Sequence, residues 1–157
     1  MKTDVCIIGG GLAGLTAAID LSQKGHQVIV VEKDSYPKHK VCGEYISNEV
    51  LDYFNKIKFP LADLKPAEIN HLKLSNQKGQ IIEADLSLGG FGLSRYRFDH
   101  ALAQHATQNG ADLKIDSVKD VAFSIPADHF TIECKSGLSI KAKVVIGAYG
   151  KRSKLDK

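Results

Sequence analysis

The stretch Val5-Cys6-Ile7-Ile8-Gly9-Gly10-Gly11-Leu12-Ala13-Gly14-Leu15-Thr16-Ala17-Ala18-Ile19, continued through Gly25 to Val28-Ile29-Val30-Val31-Glu32, decides the fold. Four apolar, β-prone residues, Val5 to Ile8, run straight into glycines at positions 9, 10, 11 and 14. Leu12, Leu15, Ala18 and Ile19 then recur on one face of a helical pattern. Gly25 stops that pattern, and Val28 to Val31 form a second apolar run ending on Glu32. The order is strand, tight turn, helix, strand, acid.

Each part has a separate physical task. Gly9 permits a sharp turn out of the strand, Gly11 leaves room for a pyrophosphate to approach the backbone, and Gly14 lets the helix pack tightly on the strands. The helix start, with Leu12 and Ala13 in its first turn, offers N–H groups and the positive end of a dipole to phosphates. Glu32 stands 23 positions after Gly9, where a carboxylate accepts hydrogen bonds from a ribose diol. After a strand, before a helix and with the acid at this distance, G-x-G-x-x-G is a dinucleotide-binding fingerprint. An acid at position 32 would repel a 2′-phosphate, which favours FAD or NAD over NADP. Three other readings use a similar loop. An NAD-dependent dehydrogenase is one. An S-adenosylmethionine-binding methyltransferase is another, and it predicts no antiparallel meander ahead of the strand that ends at Gly147. The third is a non-catalytic nucleotide-binding fragment.

A chain of 157 residues is about one domain long. Its 43% apolar and 25% charged content is ordinary for a globular protein, and a net charge of +3 gives no argument for nucleic acid. Cys6, Cys42 and Cys134 form no CxxC and no disulfide pattern, which points to a reduced, cytoplasmic setting. Cys6 and Cys134 alternate with apolar neighbours and read as core. No run approaches a membrane span, so membrane contact, if any, would be peripheral. The six histidines show no metal spacing.

Beyond Glu32 the loop Lys33 to Pro37 leads to a basic segment, Lys38-His39-Lys40-Val41-Cys42-Gly43-Glu44, whose lysines and histidine read as a wet loop. A helix is expected over 47–57, capped by Ser47, with Ile46, Val50, Phe54 and Ile57 on one face. His71–Leu74 and Gln80–Ala84 read as a hairpin around Asn76-Gln77-Lys78-Gly79. Gly89, Gly90 and Gly92 read as a flexible turn before Leu93-Ser94-Arg95. A second helix is expected over 98–109, with Asp99 in its first turn and Phe98, Leu102 and Ala106 facing inward. A short strand follows over 111–115. Three alternating runs (Val121, Phe123, Ile125; Phe130, Ile132, Cys134; Leu138, Ile140, Ala142, Val144) predict an antiparallel meander with one wet face. Its last strand turns continuously apolar at Val144-Val145-Ile146 and ends in Gly147-Ala148-Tyr149-Gly150.

Together these segments resemble the FAD-dependent oxidoreductases of the para-hydroxybenzoate hydroxylase fold, in the branch of the geranylgeranyl reductases, with flavin-dependent halogenases as relatives. Four signatures carry the resemblance: the glycine loop with Glu32; Lys40-Val41-Cys42-Gly43-Glu44, similar to K-x-C-G; Arg95 through Phe98-Asp99 and Leu102, similar to R-x-x-F-D-x-x-L; and Gly147 to Ser153, similar to G-A-D-G-x-x-S. Tyr149 replaces the acid of the fourth signature, and the chain stops before the family's later Gly-Asp motif. The expected architecture is α/β: a Rossmann-like FAD-binding domain with a central parallel sheet, helices and an antiparallel β-meander, plus part of a substrate-domain sheet. The expected division is residues 1–70 and 96–157 for the FAD-binding domain, discontinuous and incomplete, and 71–95 for a hairpin insert.

The resemblance implies roles. Gly9, Gly11, Leu12, Ala13 and Gly14 would cradle the pyrophosphate. Glu32 would hold the adenosine ribose, with Lys33 beside it. Arg95 would reach the FAD diphosphate or ribityl chain, and Val118 would offer backbone groups to adenine. Ala148 and Gly150 would bring backbone near the phosphates, and Cys42 and Gly43 would lie along the isoalloxazine ring, Cys42 either in a redox or substrate-side role or as a small residue that simply fits. The implied activity takes hydride from NAD(P)H to FAD, then to a substrate double bond or to oxygen. The implied substrate is a small molecule, prenyl or aromatic, and the Lys38-His39-Lys40 cluster, where it is more than a wet loop, would draw in an anionic one such as a prenyl diphosphate. No catalytic residue is assigned, and the chain reads as the N-terminal half of a longer flavoenzyme, expected by itself to be inactive and to retain FAD weakly.

Overall fold

The computed structural model describes residues 1–151. In chain order the elements are β1 (Lys2–Ile8), α1 (Leu12–Gln23), β2 (Val28–Glu32), β3 (Tyr45–Ser47), α2 (Leu51–Lys56), β4 (Ala67–Ser75), β5 (Ile81–Gly92), α3 (Arg95–Gln108), β6 (Asp112–Ile115), β7 (Val118–Ser124), β8 (His129–Cys134) and β9 (Ser139–Gly147). Short 3-10 turns lie at Asn48–Val50 and Leu61–Leu64. The chain forms two compact units, residues 1–38 with 99–157, and residues 39–98.

The first unit is built on a six-stranded sheet of order β6-β2-β1-β9-β8-β7. The first four strands in that order run parallel, with Val5 opposite Val28 and Val144, and Val30 opposite Leu113. β9, β8 and β7 then form an antiparallel meander. That meander removes the methyltransferase reading, which required its absence. All of β2 is buried, as suits a strand flanked by neighbours on both edges. Leu15, Ala18 and Ile19 are the buried face of α1, as the helical spacing predicts. Cys6, Ile8, Ile29, Val31, Ile132, Cys134, Ile140 and Ala142 close into one core cluster. Each fully buried aliphatic side chain there contributes about 1.5–3 kcal/mol.

The meander keeps its predicted wet face, with two departures. Phe123 and Ile125, expected inward with Val121, are exposed. The Phe123 ring packs on its cross-strand partner Phe130, centroids 4.8 Å apart and planes tilted by 51°. Val144, in the continuously apolar end of β9, is also exposed.

The second unit carries a three-stranded sheet of order β3-β5-β4. Asn76–Gly79 turns the hairpin as expected, with Gly79 N–H donating to Asn76 O at 3.1 Å. Gly89, Gly90 and Gly92 correct the sequence reading: they are the end of strand β5, not a turn. The reason is tertiary. Gly90 pairs with Ser47 and Ile69, and a Cβ there would run into the Tyr45 ring. The expected helix over 47–57 splits into a 3-10 turn and α2; Ser47 Oγ accepts from Glu49 N–H, and Phe54 and Ile57 are buried. The Phe54, Phe59 and Phe98 rings meet pairwise with centroids 5.5–5.8 Å apart, which gives this small unit its core. α3 starts three residues earlier than expected because Ser94 Oγ accepts from Tyr96 N–H at 3.3 Å. Asp99 is fully buried one turn in. No helix among the described residues is long and apolar enough to cross a membrane.

Candidate functional site

The carboxyl ends of β1, β2 and β9 converge on one loop. Gly9 N–H donates to Val31 O at 2.9 Å, and Ala148 N–H donates to Ile8 O at 2.8 Å. β1 lies between β2, its successor through α1, and β9, the last strand, so the sheet order switches direction here. Ligands of open α/β sheets bind outside the strand ends at such a point. Gly9 has φ +108°, and a Cβ on it would strike the Ala148 backbone. A Cβ on Gly14 would strike the Gly9 carbonyl. These two glycines therefore let the protein pack on itself.

Gly11 is the N-cap of α1, with extended backbone at φ −82° and ψ −172°. No side chain caps the helix, and no acid occupies its first turn. The intrahelical ladder opens with Leu15 N–H donating to Gly11 O at 2.9 Å. The N–H groups of Leu12, Ala13 and Gly14 precede it, at the positive end of the helix dipole. Leu12 is half-buried and Ala13 exposed.

Glu32, the last residue of β2, is only 6% exposed, and its carboxylate turns toward this loop. Oε2 accepts from Gly10 N–H at 2.7 Å, and Oε1 accepts from Asp34 N–H at 3.0 Å and from the Lys38 ammonium. The Tyr36 hydroxyl donates to Gly10 O, and Lys38 Nζ sits 5.2 Å from the centroid of the Tyr36 ring. Burial pushes the Tyr36 hydroxyl well above the usual tyrosine range, and the charges of Glu32, Asp99 and Asp34 add to that. A Cβ on Gly10 would collide with the Tyr36 hydroxyl.

Sequence reasoning gave Gly10 and Tyr36 no part and read Lys38 only as wet loop or anion-attracting patch, yet the three hold Glu32 in place. The available signal was a cation and an aromatic within six residues of the strand-end acid, in a loop able to fold back. The structure gathers Gly9, Gly11, Leu12, Ala13, Gly14, Glu32 and Ala148 around the strand ends. Lys33 is exposed just past β2, and Gly150, at φ +75°, follows β9. Val118 opens β7 opposite Cys134. Cys42, Gly43 and Arg95 belong to the second unit: the first two are exposed in an irregular segment, and Arg95 begins α3. The Tyr149 ring covers Gly147 and packs against the core cluster of the first unit, so in place of an acid this position supplies apolar filling. Arg152 and Ser153 of the fourth signature lie outside the described residues. A cleft of about 520 Å³ between α3 and β6 touches the Glu32 assembly through Ser35 and Tyr36.

The residues fit the adenosine diphosphate half of a dinucleotide. The uncapped helix end supplies N–H donors, the glycines keep side chains off the loop, and a buried carboxylate faces it. The comparisons agree. The family model described as FAD binding domain matches residues 2–157. The chain is 32% identical over 161 residues to digeranylgeranylglycerophospholipid reductase of Methanosarcina acetivorans, covering 97% of this chain and 39% of that protein. It is 28% identical over 159 residues to rifampicin monooxygenase of Rhodococcus hoagii, covering 99% of this chain and 33% of that one. Among solved structures, a flavoprotein/dehydrogenase from Cytophaga hutchinsonii superposes with a TM-score of 0.79 at 27% identity, over 96% of this chain and 40% of its own. The chain thus spans well under half the length of these relatives. From the glycine loop through the meander, it belongs to the FAD-binding domain family.

Proposed function

We propose that this chain seats FAD for a flavin-dependent oxidoreductase of the reductase or monooxygenase type. The observation that carries the reading is the buried Glu32 carboxylate turned onto the glycine loop beside the uncapped start of α1. Gly11, Leu12 and Ala13 hold the pyrophosphate with backbone N–H groups, and the dipole of α1 favours its charge. Glu32 accepts the adenosine ribose hydroxyls, with Lys33 at the rim. Ala148 and Gly150 supply backbone near the phosphates, Val118 supplies backbone to adenine, and Arg95 pairs with the diphosphate or ribityl chain. Cys42 and Gly43 flank the ring, and the hairpin of residues 71–95 belongs to the substrate side.

Bound flavin supplies hydride transfer, with NAD(P)H as donor and a substrate double bond or oxygen as acceptor. The reductase and monooxygenase named above support a small prenyl or aromatic substrate. The proposed compartment is the cytoplasm. The test is the visible spectrum of the purified protein with FAD added. Saturable binding of the added FAD, read from the shift of its visible bands and weakened about 10–100-fold by Glu32→Ala through loss of a charged acceptor, supports the reading. A protein that binds NAD and no FAD overturns it.

A further inference from the structure

Glu32 does not wait empty for a sugar. A carboxylate offers about four lone-pair sites on its two oxygens. Here Gly10 N–H, Asp34 N–H and the Lys38 ammonium already use three of them. A ribose diol brings two O–H donors, and only one site, on Oε2, remains. The two backbone donors are fixed. Gly10 is pinned by Glu32 on one side and the Tyr36 hydroxyl on the other, and Asp34 comes two residues after the end of β2. Lys38 alone reaches Oε1 on a flexible four-carbon stem, with its side chain 17% exposed against 8% for Glu32. It also has somewhere to go: Asp34 Oδ2 lies 3.4 Å from its Nζ, and the face of the Tyr36 ring is beside it.

We propose that Lys38 is a built-in occupant of the sugar-binding carboxylate, which a ribose cis-diol must displace, so that Lys38 sets the affinity for adenine nucleotides. This rests on the reading of Glu32 as the ribose acceptor. On binding, Lys38 gives up Oε1 and remains paired with Asp34, while the two sugar hydroxyls take the freed site and the vacant one. Lys38 is a positioning residue, and its removal strengthens nucleotide binding.

The experiment is isothermal titration of the full chain with ADP and with 2′,3′-dideoxy-ADP, which lacks the diol. Wild type, Lys38→Met and Lys38→Arg are compared. Lys38→Met is expected to bind ADP about 3–10-fold tighter, the range set by one partly buried ion pair. Its dideoxy-ADP affinity stays unchanged, and Lys38→Arg behaves as wild type. Where Lys38→Met does not fold, Lys38→Gln, which keeps a donor without the charge, carries the same expected direction. Unchanged or weaker ADP binding by the variant, in a protein that still prefers ADP over the dideoxy analogue, overturns the proposal and leaves the reading of Glu32 standing. A wild type that binds the two nucleotides equally, or neither, overturns that reading and the proposal with it.

Discussion

Replacing Glu32 by glutamine keeps the shape of the side chain and removes its charge and one acceptor. In the wild type, Oε2 takes Gly10 N–H at 2.7 Å, while Oε1 takes Asp34 N–H at 3.0 Å and the Lys38 ammonium. An amide can present its oxygen to only one of these sides. With the oxygen toward Gly10, its NH2 meets Asp34 N–H and an ammonium. Turned the other way, its NH2 meets Gly10 N–H in a place where the side chain is 8% exposed. Either way a buried donor is left facing a donor, which costs about 1–3 kcal/mol, and a charge-assisted hydrogen bond worth about 1.5–3 kcal/mol is lost. Asp34, 3.4 Å from Lys38 Nζ, recovers part of the second amount. We expect Glu32→Gln to destabilise the nucleotide-free protein by about 2–4 kcal/mol. At about 2–4 °C per kcal/mol for a domain of this size, melting should fall by roughly 5–15 °C. Calorimetric melting measures it. Adding Lys38→Met should cost less in the Glu32→Gln background than alone, because the two share one interaction. A shift under about 1 °C would show that the donors around Glu32 do not depend on it.

Four further outcomes follow from the packing and the thiols. Gly14→Ala, whose Cβ would strike the Gly9 carbonyl, should cost more in thermal melting than Gly25→Ala, where no atom lies within 4 Å and only the positive φ opposes the methyl. Ile140→Ala, at a fully buried position, should lose about 2–5 kcal/mol in urea unfolding, whereas Ile125→Ser, at an exposed one, should stay within about 0.5 kcal/mol. A thiol reagent should label Cys42 quickly and reach buried Cys6 and Cys134 only on unfolding. Burial, with Cys134 nearby, raises the Cys6 thiol from 9.0 to about 12, so the folded protein keeps a proton that the unfolded chain releases first. Stability should therefore hold below about pH 9 and fall as pH rises from there toward 12, with a shallower fall in Cys6→Ala.

The βαβ unit was legible because its signals are local: two apolar runs, glycines at fixed offsets, and an acid at the second strand's end. The hairpin was legible for the same reason, since Asn76 Oδ1 accepts from Lys78 N–H and Gln80 N–H and so holds its own turn. Gly89 to Gly92 misled because composition alone reads as a turn, while the need for glycine comes from a tyrosine 45 positions earlier, which packs on Gly90. Phe123 and Ile125 alternate correctly, but alternation does not say whether another layer covers the face. Tyr36 was passed over, and Lys38 was read only with its basic neighbours, because a loop has no periodicity to show where its side chains point. Only the placement of β2 beside β1 brings them onto Gly10 and Glu32. Asp99 was assigned to a helix's first turn and proves fully buried, since the start of α3 is set by Ser94.

The most direct measurement is a crystal structure of the chain with ADP bound. The account predicts phosphate oxygens within hydrogen-bonding distance of the Leu12 and Ala13 N–H groups and both ribose hydroxyls on the Glu32 carboxylate. A nucleotide bound away from the start of α1, or a ribose that leaves Glu32 untouched, would contradict it.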